Sequence, residues 1–90
     1  MTSESLKQKE QKMLFEIMET REALEEAEEE HAIREILESS ALEINECLRQ
    51  MEISFERRDL FEARHQTIRL NYLSKIQAEA EAKLERLSAL

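Results

Sequence analysis

Met13, Ile17, Leu24 and Ala27 follow one another at steps of four, seven and three residues, the spacing that gathers side chains on one helical face. On a wheel advancing about 100° per residue, Leu6 and Thr20 fall within about 20° of Met13. The stripe therefore predicts a helix over about residues 3–29. Ser3 followed by Glu4 suits its start, where an oxygen accepts from a free N–H and a carboxylate meets the positive end of the dipole. The same helix carries a second apolar set. Leu14, Phe15 and Met18 lie about 100–200° round from Met13, with Glu22 and Glu19 beside them. One packing contact needs one stripe, so the second set raises the question of its use.

Ile33, Leu37, Ser40, Ile44, Cys47 and Met51 alternate at four and three, the seam of a packed helix, and predict a helix over about 33–56. Ile36, Leu48 and Phe55 widen that seam. Continuing the first stripe across the join would bring His31, Arg34 and Glu38 inward, so a break is expected near Glu29–Ala32. No Gly, Asn or Asp marks a turn there, and one long helix is the alternative. The second break is better marked. In "RRDLFE" two cations oppose the negative end of a helix, and Asp59 precedes Glu62 by three residues in the manner of a capping box. A third helix follows over about 60–87. Leu60, Ala63, Thr67, Leu70 and Leu73 form one apolar set, continued by Ala80, Leu84 and Leu87. Phe61, Ile68, Tyr72 and Ile76 form another, as suits a helix between two neighbours. The prediction is a single all-α domain over 1–90, an up-down-up three-helix bundle.

In that topology the first and third helices run the same way. Leu14, Met18 and Tyr72 then lie at similar depth, about 17–23 Å along their helices at ~1.5 Å per residue. An apolar centre with an acidic margin is the layout of a protein-binding surface. The competing reading puts the Leu14–Met18 pair in the core, and the residues alone leave the two level.

Composition narrows the choice of function. The 90 residues include no Gly and no Pro, which removes phosphate-cradling loops and argues against a sheet protein. A net charge of −8, from 13 basic and 21 acidic residues, argues against nucleic acid and anionic membranes and favours a basic protein partner. No run of about 18 apolar residues exists to span a membrane. "MTSESLKQKEQK" has neither an apolar signal core nor a transit-peptide character. Any targeting segment is absent or lies outside the chain. The single cysteine, Cys47, points to a reducing intracellular compartment and to an inert seam thiol. His31 and His65 fall on different elements, and the "EEEH" at Glu28–His31 has no second copy, so no metal site is expected. The glutamates from Glu25 to Glu30 read as a solvated helix end. No catalytic residue and no cofactor are assigned, and an enzyme is rejected.

"FEIMETREALEEAEEE", "FERRDLFEA" and "IRLNYLSKI" occur in this order, and together they resemble the C-terminal domain of HscB-type J-domain co-chaperones of iron–sulfur cluster assembly over about residues 13–84. The resemblance implies a three-helix client-binding domain that docks the IscU-type cluster scaffold for delivery to a dedicated Hsp70. It assigns Leu14, Met18 and Tyr72 as apolar anchors, with Phe15, Glu19 and Glu22 beside them. It also implies a mitochondrial matrix location in a eukaryote or a cytoplasmic one in a bacterium. The chain departs from the family in having no proline, and so no His-Pro-Asp loop. Activation of Hsp70 is expected only if a J domain is supplied elsewhere. Phe61 and Ile68 make the third helix more apolar than the family suggests. A homo-oligomeric helical bundle, its surplus stripes burying one another, is the alternative function.

Overall fold

The computed structural model describes residues 3–89. Three helices follow in order: α1 (Ser3–Glu26), α2 (Glu30–Glu56) and α3 (Leu60–Ser88). They form the expected all-α up-down-up bundle, 49 × 25 × 14 Å in its backbone extents and so broader than it is thick. α2 and α3 make the intimate antiparallel pair, and α1 lies mainly along α3.

Small residues explain the intimacy. Ile33, Ser40, Cys47 and Ser54 are buried at seven-residue steps on α2, and Ala63 and Ala80 are buried on α3. Short side chains at a contact let two helix axes approach. The buried hydroxyls cost little because each bonds within its own helix: Ser40 Oγ donates to the Leu37 carbonyl at 3.0 Å and Ser54 Oγ to that of Gln50 at 2.7 Å. Two apolar clusters then join α1 to the pair. Met13 and Ile17 meet Cys47, Leu73 and Ile76 in one. Leu24 and Ala27 meet Ile33 and Ala80 in the other. The α1 stripe is thus the core stripe, as its spacing implies.

The first turn falls at residues 27–29, earlier than the spacing suggests, so α1 stops at Glu26 rather than 29 and α2 starts at Glu30 rather than 33. The reason is a partner from α3. Lys83 Nζ donates to the carbonyls of Leu24 at 2.6 Å and Glu25 at 3.0 Å, satisfying acceptors that a helix end leaves open. Glu29 is extended (φ −107°, ψ 144°) with no side-chain cap, and its carbonyl receives the N–H groups of Ala32 and Ile33. The Ser3 side chain, and with it the expected cap, lies outside what is described.

The second turn is a Schellman motif. Asp59 N–H donates to the Ser54 carbonyl at 2.8 Å and Arg58 N–H to that of Phe55 at 3.1 Å, with Arg58 at φ 59° where glycine is usual. Asp59 caps α3 by accepting from Glu62 N–H at 3.0 Å. The reciprocal half of the box is absent: Glu62 instead bonds Lys9 of α1 and Gln66, while Asp59 N–H is already engaged.

Three side chains depart from their expected sides. Leu60, at the head of the first apolar set of α3, is 70% exposed, while Ile76, in the second set, is fully buried. Leu48 and Phe55, expected to widen the α2 seam, are exposed at 49% and 58%. Because α3 packs against α2 along one side and α1 along another, its core line drifts round the helix. That drift carries Ile76 inward and leaves Leu60 beyond the end of the contact.

Candidate functional site

With Met13, Ile17 and Leu24 facing inward, the other face of α1 is left to solvent. Leu14 is 39% exposed, Met18 59% and Phe15 63%. Glu19 and Glu22 are exposed beside them. Tyr72 is half-buried, its ring packed on the cluster of Met13, Ile17, Leu73 and Ile76. It also borders a shallow depression with Ile68, Asn71 and Lys75. One side of the ring is therefore fixed by the core, and the other is presented outward.

An ion pair identifies which edges of α1 and α3 meet. Arg21 Nη2 lies 3.7 Å from Glu79 Oε1. Leu14 stands seven residues before Arg21 and Tyr72 seven before Glu79. A seven-residue step returns a helix to nearly the same edge, and α1 and α3 run in the same direction, so Leu14 and Tyr72 share that border two turns back. Met18, four residues after Leu14, extends the apolar surface along α1. Arg21, Asn71 and Lys75 belong to this border and were not singled out from the sequence, whereas Ile68 stands in the second apolar set of the third helix. The heptad relation of Arg21 to Leu14 and Glu79 to Tyr72 was the signal that could have found the ion pair.

The anchors differ in what a partner would gain from them. Phe15 and Met18 offer large area that association would remove from water. Tyr72 offers a ring already held in place, so little rotamer freedom remains to be lost on binding. The adjacent glutamates supply negative charge at the rim, where charge governs encounter and orientation more than affinity.

At the α2–α3 turn end, α1 is fastened by Lys9, whose ammonium bonds the Glu62 carboxylate. Burial pushes the Glu62 carboxyl up, but the hydrogen bonds from Lys9 and Gln66 and the Lys9 charge outweigh it and hold it below its ordinary value. His65, next along α3, is held below its ordinary value by burial and then by the charge of Lys9. Burial raises the Cys47 thiol, which is fully enclosed with Arg69 Nη1 at 3.6 Å. A protonated, enclosed sulfur is a poor nucleophile. His31 pairs with Glu29 at 3.1 Å, at the end of the bundle remote from His65. Among the described residues no group of three or more His, Cys, Asp or Glu side chains is placed to hold a metal ion. Among them too, no helix is long and apolar enough to cross a membrane.

Compared with known families, residues 9–81 match the model described as the HSCB C-terminal oligomerisation domain. Searches of curated proteins and of solved structures match nothing. The family match takes in the whole of α2, the α1 and α3 core stripes and all six surface residues considered above. It also accords with the three-helix architecture and with the motifs along the chain. The chain belongs to the HSCB C-terminal oligomerisation domain family, the C-terminal domain of the HscB co-chaperones of iron–sulfur cluster assembly.

Proposed function

We propose that this domain is the client-binding module of a co-chaperone and that its client is the IscU-type scaffold on which iron–sulfur clusters are built, for delivery to a dedicated Hsp70. Leu14, Phe15, Met18 and Tyr72 are the anchors, and Glu19 and Glu22 orient a basic face of the scaffold. The observation that supports this reading is the exposure of Leu14, Phe15 and Met18 on a helix whose core stripe is already complete. Delivery to Hsp70 needs a J domain from elsewhere, since these residues contain no His-Pro-Asp loop.

Calorimetric titration of the scaffold tests the surface. Met18→Ala is expected to weaken binding by about 1–3 kcal/mol, roughly ten- to hundredfold, with helical content unchanged. Unaltered affinity in both Met18→Ala and a Leu14→Ala/Tyr72→Ala double variant would refute the assignment.

Self-association is the second reading. It is favoured by the family's description as an oligomerisation domain and by the exposed Leu42, Leu48, Phe55 and Leu60, none of which belongs to the clusters that α1 joins. The two readings are compatible, because they use different faces.

A further inference from the structure

Among the anchors on α1, Met18 carries a thioether. A leucine there offers comparable area, so the sulfur adds polarisability and one reaction, oxidation to the sulfoxide. The chain places its sulfur atoms very unequally. Met18 is 59% exposed, whereas Met13, on the same helix, is 4% exposed and sealed in the cluster of Ile17, Cys47, Leu73 and Ile76. Met51 is half-buried, with the Thr67 hydroxyl 4.0 Å from its Sδ. Cys47 is fully enclosed, and burial keeps its thiol protonated, whereas the reactive form of a cysteine is the thiolate. Among the described residues, Met18 therefore presents the sulfur that a small oxidant reaches without any opening of the bundle. Met18 also lies outside both apolar clusters, so a change at its sulfur leaves the packing of α1 intact.

We propose that Met18 is a reversible oxidation site, and that a hydroperoxide acting there releases the client. The proposal rests on the docking reading above and names a regulation of that surface. A lone pair of the sulfur attacks the outer peroxide oxygen, the O–O bond breaks and an S–O bond forms. The thioether gives up two electrons and becomes the sulfoxide, and hydrogen peroxide is reduced to water. In the return step the sulfoxide takes two electrons from a dithiol, leaving the thioether, a disulfide and water. Methionine sulfoxide reductases catalyse it, one for each epimer. Glu19 and Glu22 beside Met18 repel anionic oxidants, while neutral hydrogen peroxide is not held off.

The new oxygen arrives at an apolar centre with little to bond it. Leu14 and Phe15 stand one turn before Met18 and Glu22 one turn after, and an ionised carboxylate only accepts. Two side chains within that span carry donors. Thr20 Oγ1 gives its hydrogen to the Glu16 carbonyl at 3.0 Å, and Arg21 is drawn across to Glu79 at 3.7 Å. In the free domain the sulfoxide oxygen is hydrated. A client that settles on the surface strips that water away, and a polar group buried without a partner is costly. The penalty falls on the complex and not on the fold.

The test applies hydrogen peroxide to the full chain and removes it with catalase before the IscU-type scaffold is added. Peptide mapping by mass spectrometry is expected to place one oxygen on Met18 within the tryptic peptide 13–21, in which Met13 serves as the enclosed control, and to leave Met13, Met51 and Cys47 unaltered. The thermal transition read by circular dichroism is expected to stay where it was. Calorimetric titration of the scaffold is expected to show a dissociation constant raised about ten- to hundredfold, restored by the two reductases with dithiothreitol. In Met18→Leu, whatever its own affinity, the same treatment is expected to change nothing. Oxygen on Met13 or Met51 ahead of Met18 would overturn the site. A Met18 sulfoxide that binds the scaffold as tightly as the untreated chain would overturn the switch and leave the docking reading standing. An untreated chain that does not bind would overturn the docking reading and the switch with it. A loss of binding that peroxide still causes in Met18→Leu would overturn Met18 as its seat.

Discussion

Lys83 is the residue whose removal reports most directly on how α1 is held. Its ammonium donates to the Leu24 and Glu25 carbonyls at 2.6 and 3.0 Å, where α1 ends with no glycine and no basic residue in its last turn. Lys83→Met keeps an apolar stem of similar length and removes the charge. A hydrogen bond to a charged group contributes about 1.5–3 kcal/mol net, and a cation at a helix C-terminus adds about 0.3–1 kcal/mol. Water can replace the donor at the Glu25 carbonyl, which is near the surface, so only one of the two bonds is taken at full value. The expected loss is about 2 kcal/mol. In a domain of this size, where 1 kcal/mol moves the midpoint by about 4–8 °C, that corresponds to about 8–16 °C. Thermal unfolding followed at the helical band measures the shift. Amide exchange at residues 24–33 should accelerate more than exchange in the middle of α2. A variant within about 0.5 kcal/mol of the parent, with unchanged exchange at the turn, would refute the account of why α1 ends where it does.

Arg58→Gly should stabilise the domain by about 0.5–1 kcal/mol, because it relieves the left-handed conformation at φ 59° while adding unfolded-chain entropy; denaturant midpoints read the change, and a lower midpoint contradicts it. Ser40→Leu, at a position 1% exposed in the close α2–α3 seam, should cost about 1–3 kcal/mol or more by forcing the helices apart, seen as an earlier urea transition. Acidification should weaken the fold in two stages, since His65 and Glu62 both titrate below their ordinary values in the folded chain. Their contributions are present above the unfolded values of 6.5 and 4.5 and are lost as pH falls through the lower folded values. Urea midpoints from about pH 7.5 to about pH 4 follow the loss, and His65→Gln should flatten its upper part only.

The bundle and its core stripes were readable because α1 obeys one helical period from Met13 to Ala27 and α2 repeats small or apolar residues through Ile33, Ser40 and Cys47. The exposed set Leu14, Phe15 and Met18 was readable for the same reason, as the remainder once a complete stripe had been assigned. What periodicity hid was long-range. The end of α1 depends on Lys83, distant in sequence, and no local turn residue announces it. Leu60 is exposed although it heads an apolar set, and Ile76 joins the core from the other set, because α3 serves two neighbours and a single wheel cannot represent a contact line that changes partner along its length. Gln66, buried and bonded to Glu62 at 2.8 Å, has no apolar signature at all. Glu62 itself reads as half of a capping box, but the proximity of Lys9 diverts it.

Lys9 clamps α1 at one end and Lys83 at the other, with the Arg21–Glu79 ion pair between them. Helix one is in effect a beam pinned near both supports and bedded along its underside at mid-span by Met13 and Ile17, while Leu14, Phe15 and Met18 project from its upper side. Such a beam offers whatever settles on it a contour already held in place, so little backbone freedom is left to be lost in the fit.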